Sequence, residues 1–276
     1  PFFVRDLHRV MDMTRHLAYA NLLAHIVAGV RQSSGLIINT SGDIEGMEIE
    51  RIHSEIALPV FAVGPLHMMT SSSSVESSLL TEDRSCLDWL DTQRPNSVLY
   101  VSFGSLVGID TDEFLEMAWG LADSQRPFVW VVRPGLVHGC EFSALPEELQ
   151  EKIGSRGRIV SWAPQQEVLK HPSVVAFLTH CGWNSTLEAV SAGVPMVTWP
   201  RFGDQFFNEK LVVEVLGVGV SVGAEDYASC VETHQVVAGE MIAESIKKAM
   251  KKDGDGDTVW KQAEELGVMA CKAVEK

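Results

Sequence analysis

Apolar residues fall along this chain in two rhythms. Short runs such as LYVSF (99–103), SVVAFLT (173–179) and PMVTW (195–199) are rich in β-branched and aromatic residues and do not alternate with polar ones. That pattern predicts parallel strands buried on both faces. Between such runs lie longer segments with apolar positions three and four apart, which predict amphipathic helices. From residue 86 the two alternate: strand 98–103, helix 112–122, strand 128–132, helix 147–152, strand 159–161, helix 166–171 and strand 173–179. A helix then opens at Asn184, followed by strand 195–199, helix 205–211 and two closing helices over 233–252 and 259–275. Residues up to about 65 repeat the alternation once, as helix 12–31, strand 35–39, helix 44–56 and strand 60–63. They read as the tail of an α/β domain whose opening strands are absent. Met68 to Ser78 is serine-rich and polar, the composition of a linker. The domain plan is therefore 1–66, a linker over 67–85, and 86–276.

Chemistry gathers where the predicted strands end. Four ends deliver Ser105, Trp162, His180 and the pair Asp204-Gln205 to one edge of a sheet, the edge at which open α/β folds bind ligands. After His180-Cys181-Gly182, the residues Asn184, Ser185 and Thr186 are capping types, with Glu188 an acid three places beyond Ser185. That predicts a helix start aimed at an anion such as a pyrophosphate. Each residue has a plainer reading. A tryptophan closing a strand usually packs in a core. Ser185-x-x-Glu188 is a ready capping box, and His180 could be a hydrogen-bonded structural histidine. Their conjunction in one window favours a ligand site.

The 44-residue stretch from Trp162 to Gln205, with His180-Cys181-Gly182-Trp183-Asn184-Ser185 inside it, resembles without a gap the C-terminal signature of plant family 1 UDP-glycosyltransferases. Ser34 to Thr40, Val63 to Leu66 and Val98 to Ser105 are similar to other landmarks of that family. The resemblance implies a glycosyltransferase-B fold, with a Rossmann-like donor domain preceded by part of an N-terminal Rossmann-like domain. It implies that Trp162 stacks on uracil, the Ala163 backbone meets the uracil edge, and Gln165 and Glu188 hold the ribose. Ser105, His180, Asn184 and Ser185 would lie at the pyrophosphate, and Trp183, Asp204 and Gln205 at the sugar, with Gln205 associated with glucose over galactose; Gly182 would belong to the same donor site. The activity implied is inverting, metal-independent transfer of glucose from UDP-glucose to a hydroxyl of a small lipophilic acceptor. Members carry their catalytic histidine near the start of the N-terminal domain. None of the nine histidines here stands in that context. The expectation is thus a fragment without its catalytic base, inactive alone. Two alternatives stay open: a non-catalytic UDP-sugar-binding product, and a UDP-sugar epimerase on the same fold.

Composition narrows the partners. With 22 Lys+Arg against 37 Asp+Glu the formal charge is −15, which argues against nucleic acid or an anionic membrane surface. An anionic donor must then be held by local dipoles. The five cysteines are odd in number and contain no C-x-x-C pair, so neither a disulfide framework nor a zinc site is expected. No apolar run reaches membrane-spanning length, and Pro1 to Asp6 is charged too early for a signal peptide. A cytoplasmic, monomeric protein without a metal or other cofactor is the expectation.

Overall fold

The computed structural model describes residues 17–56, 58–69, 82–105, 108–137, 145–224, 236–251 and 255–274. The first segment holds α1 (Leu17–Gln32), β1 (Leu36–Ile38), α2 (Gly42–Ile56) and β2 (Val60–Ala62), and closes on a 3₁₀ turn, Leu66–Met68. The expected helix 12–31 is thus seen from Leu17 on, its first five residues lying outside the described ones, as does most of the serine-rich linker. Then follow α3 (Ser85–Asp91), β3 (Val98–Ser102), α4 (Thr111–Ser124), β4 (Phe128–Val131), α5 (Glu147–Ile153), β5 (Gly157–Val160), α6 (Gln165–Leu169) and β6 (Val174–Thr179). After these come α7 (Trp183–Ala192), β7 (Met196–Thr198), α8 (Gln205–Lys210) with a π turn at Leu211–Val215, β8 (Gly219–Ser221), α9 (Gly239–Ala249) and α10 (Asp255–Val274).

β3 to β8 form one six-stranded sheet in the order β5-β4-β3-β6-β7-β8, every pairing parallel. The chain moves outward from β3 to β5, returns to lay β6 beside β3, and moves outward the other way. This is the doubly wound Rossmann order, with its switch point between β3 and β6. Pleating sends alternate residues to opposite faces. Leu99, Val101, Trp130 and Leu178 pack with Phe114, Met117 and Leu121 of α4 and Ile242 and Ile246 of α9. Tyr100, Val129 and Phe177 face the other way, toward Leu187 and Val190 of α7 and Ala263 and Leu266 of α10. At about 1.5–3 kcal/mol per large side chain, this two-sided burial dominates the stability of the sheet.

Three expectations need correction. β8 was not expected, because Gly217-Val218-Gly219-Val220 interleaves two glycines with its valines and glycine disfavours strands; pairing with β7 (Met196 opposite Gly219) settles it. The helix expected from 233 begins only at Gly239, residues 236–238 being non-helical. The helix after β6 opens one residue before Asn184, with consequences described below.

β1 and β2 make a separate two-stranded parallel sheet. Ile37 is 71% exposed and Phe61 55%. This segment meets the large sheet's layers through α2, which packs on α10 and sends Ile44 into the second-face core.

Candidate functional site

The carboxyl ends of β3 and β6 lie side by side and lead to helices on opposite faces of the sheet, the switch point at which open α/β folds form a ligand crevice, with Gly104-Ser105 on one side and His180-Cys181-Gly182 on the other. The His180 ring fills the gap between two glycines. A Cβ on Gly104, whose φ is +69°, would stand 2.7 Å from the imidazole, and one on Gly182 closer still. Between them Cys181 is fully buried with φ +63°, a left-handed conformation rare outside glycine and common at functional turns. It is held by its N–H donating to Thr179 Oγ1 (3.3 Å) and by its carbonyl accepting from Asn208 Nδ2 (2.9 Å).

That turn presents the start of α7. Gly182 is the N-cap, no side chain caps the helix, and the first helical bond runs from the Thr186 N–H to the Gly182 carbonyl (2.9 Å). The expectation that Asn184 to Thr186 supply caps in front of the helix is therefore corrected: they are already in its first turn. The reason is the extended backbone of Gly182 (φ −60°, ψ 139°), which starts the helix at Trp183. The amides of Trp183, Asn184 and Ser185 are left without intrahelical acceptors at the positive end of the helix dipole, an anion-binding arrangement. Burial lowers the pKa of His180 to about 4, with the nearby Asp204 carboxylate pulling the other way. Near neutral pH the ring is therefore an uncharged hydrogen-bonding group. Ser105 is exposed on its turn, and Arg133, at the end of β4, donates from Nε to the Gly104 carbonyl (3.3 Å).

Beside the crevice lies a polar network. Gln165 donates from Nε2 to Ser185 Oγ (2.9 Å) and Glu188 Oε2 (2.6 Å), while its Oε1 accepts from the Tyr100 hydroxyl (3.1 Å). Gln166 donates to the other oxygen of Glu188 (3.3 Å). The capping-box reading of Glu188 is thereby excluded, since its carboxylate is turned toward α6. Burial raises its pKa, and the bonds from Gln165 and Gln166 offset part of that rise. Trp162 is half-buried against the second-face core, with its carbonyl accepting the Asp83 N–H (2.9 Å), and Ala163 is buried next to it.

At the third end, Asp204 is exposed, and its Oδ2 accepts from Asn208 Nδ2 (2.9 Å). Gln205 is buried, with Oε1 accepting the backbone N–H of Arg201 (2.9 Å) and of Phe202 (3.1 Å). The Trp183 indole donates to the carbonyl of Asn39 (2.8 Å), just beyond β1. It therefore ties the large sheet to the first segment, and its backbone amide is what it offers to the mouth of α7. The fold thus gathers Ser105, His180, Gly182 to Ser185 and Asp204 about one crevice, with Gln165 and Glu188 joined to it through Ser185. Sequence reasoning missed Tyr100, Arg133 and Asn208, which orient these groups. Tyr100 lies inside an apolar run and reads as core, while Asn208 and Arg133 carry no local signal. Among the described residues no three His, Cys, Asp or Glu side chains come together as a metal site.

Comparison with known proteins agrees with this geometry. Residues 66–247 match the family model of UDP-glucuronosyl and UDP-glucosyl transferases. The chain is 49% identical over 258 residues to the DIMBOA UDP-glucosyltransferase BX9 of Zea mays, a match covering 91% of this chain and 55% of the relative. It is 44% identical to maize BX8, covering 100% of this chain and 58% of that one. The chain thus spans little more than half the length of these relatives. Among solved structures it superposes on Phytolacca americana UGT2, complexed with UDP-2-fluoro-glucose and pterostilbene. There the TM-score is 0.79 and the identity 34%, over 95% of this chain and 55% of the other. The switch-point crevice, the glycosyltransferase-B architecture of these neighbours and the family match agree: the chain belongs to the UDP-glucuronosyl and UDP-glucosyl transferase family, among its plant members.

Proposed function

We propose that this chain is the donor-binding half of a UDP-glucosyltransferase, and that UDP-glucose lies across the β3–β6 crevice. The observation that carries this reading is the His180 turn, packed between Gly104 and Gly182 with the open first turn of α7 beside it. Three free amides and a neutral imidazole suit a pyrophosphate, which would itself raise the pKa of His180 toward the charged form. Trp162 supplies a plate for uracil and the Ala163 backbone its edge contact. Glu188, held by Gln165 and Gln166, accepts from the ribose diol. Asp204 and Gln205, with the amide of Trp183, meet the sugar.

In transfer, the Ser105 turn, His180 and the α7 end stabilise negative charge developing on departing UDP, an electrostatic contribution that needs no metal. A base outside this crevice deprotonates the acceptor hydroxyl. The acceptor is a small lipophilic alcohol or phenol, and transfer is inverting. Residues 1–66 belong to the acceptor-side domain, 67–85 to the linker and 86–276 to the donor domain. The protein is read as a cytoplasmic monomer; no described helix is long and apolar enough to cross a membrane. The test is titration of the purified chain with UDP and UDP-glucose, then incubation with UDP-glucose and a phenolic panel. Micromolar-to-millimolar nucleotide binding with little glucoside by mass spectrometry is expected; no binding of either nucleotide overturns the reading, and turnover of about 1 s⁻¹ or more would place a base within this chain.

A further inference from the structure

The loop after β7, which carries Asp204 and Gln205, is anchored by a buried ion pair remote in sequence. Arg201 and Glu113 are each 2% exposed at the side chain, and the guanidinium grips both carboxylate oxygens, Nη1 to Oε1 at 2.6 Å and Nη2 to Oε2 at 2.5 Å. Glu113 lies in the first turn of α4, which follows β3, whereas Arg201 follows β7. Because β6 stands between β3 and β7 in the sheet, the pair ties together the segments that follow the two neighbours of the His180 strand. The Arg201 guanidinium also lies over the Trp199 ring, 5.7 Å from its centroid. The same residue's backbone N–H, with that of Phe202, donates to Gln205 Oε1. That contact fixes which way the Gln205 amide faces: its oxygen is engaged with the loop, so only Nε2 can serve a ligand, and it can serve only as a donor.

The geometry points to Arg201 and Glu113 as positioning residues for donor-sugar selection, an inference that rests on the donor-site reading above. Neither touches the donor. The pair holds the backbone at 201–202, the backbone orients Gln205, and Gln205 offers Nε2 to an equatorial hydroxyl oxygen that an axial epimer would carry elsewhere. A planar fork on a carboxylate is geometrically demanding, and lysine cannot reproduce it. Loosening the pair should therefore blur sugar choice while leaving the uridine end, built on Trp162, Gln165 and Glu188, unchanged.

Two variants of the full chain test this. Arg201→Lys keeps the charge and loses the fork. The double change Glu113→Leu with Arg201→Met replaces both charges by apolar groups of similar size, a replacement that buried ion pairs tolerate without an orphaned charge. Calorimetric titration with UDP, UDP-glucose and UDP-galactose is read beside amide hydrogen exchange at positions 201 and 202. For both variants the expected result is UDP affinity within about two-fold of the parent, a glucose-over-galactose ratio reduced about five-fold or more, and faster exchange at both amides. Folded variants with unchanged sugar preference and unchanged exchange overturn the proposal. A parent chain that binds UDP but does not distinguish the two sugars overturns it as well, while leaving the uridine end standing. A parent that binds neither nucleotide sinks the donor-site reading and with it the selectivity role, and exchange at 201 and 202 still decides whether the pair holds the loop.

Discussion

The two parallel sheets among the described residues are built from similar words. LII in β1 and VFA in β2 are as apolar as FVWV in β4 or MVT in β7. Every residue of β3, β4, β6 and β7 is buried, whereas β1 and β2 contain no buried residue at all. Two strands in a ribbon cannot cover one another's faces, while six strands between two helical layers can. Apolar strand sequence therefore states a demand for cover, and topology decides whether the demand is met. The proposed donor crevice follows the same division. It lies on the sheet with both faces filled, whose strand ends set the His180 ring between two glycines.

The sharpest test of that contrast sets one phenylalanine of each sheet against the other. Phe177 is wholly buried and stacked on Tyr100, the ring centroids 5.0 Å apart. Phe177→Ala should cost about 3–5 kcal/mol in urea unfolding, the range for large-to-small changes in a core. A cost below about 1 kcal/mol would mean the large sheet is packed no better than the small one.

Acid should find the large sheet's edge next. Burial holds His180, at the end of β6, at a pKa of about 4, and His67, in the 3₁₀ turn, likewise at about 4, below the ordinary histidine value of 6.5. The unfolded chain then binds protons that the folded chain refuses, so stability is intact above about pH 6.5 and falls as pH drops toward 4. The raised carboxyl of Glu188 acts in the opposite direction near its own pKa and offsets part of the loss. A drop on the order of 2–3 kcal/mol between pH 7 and 4 is expected, and His180→Asn should remove about half of it, the share of His67 remaining. A flat profile in the parent would mean that the ring is solvated.

Smaller again is the effect of removing Trp162, the proposed uracil plate. Trp162→Ala should weaken UDP binding by about 1–3 kcal/mol, as base–aromatic stacking does elsewhere, with little change in thermal midpoint because the indole is only half-buried. Unchanged UDP affinity together with a lost thermal midpoint would return Trp162 to the core. The smallest expected effect belongs to the small sheet. Phe61→Ala should change stability by no more than about 0.5 kcal/mol, and a cost like that of Phe177 would show the ribbon to be covered after all.

Much of this protein was written in local pattern. Uninterrupted β-branched runs are sufficient for buried parallel strands, because only a sheet covered on both faces needs them. β3 to β7 accordingly appear within a residue or two of where the runs stand. The spacing of Trp162, His180, Asn184, Glu188 and Asp204 placed them at strand ends and helix starts for the same reason. What the pattern could not carry is anything decided by groups distant in sequence. β8 exists because β7 offers it a ladder, and the α7 start is set by the backbone of Gly182 rather than by the capping types after it. Glu188 turned from a cap into a network member only because α6 brings Gln165 and Gln166 against α7. The indole of Trp183 found the carbonyl of Asn39, 144 residues away, and Arg201 found Glu113 at a separation of 88. Hydrogen bonds and ion pairs are short-ranged and directional, so their partners are chosen by the packed fold. The sequence by itself determined most of the strands and helices and the chemistry at their ends; the tertiary structure alone decided which polar atoms were consumed in holding the strand ends together and which were left open beside them.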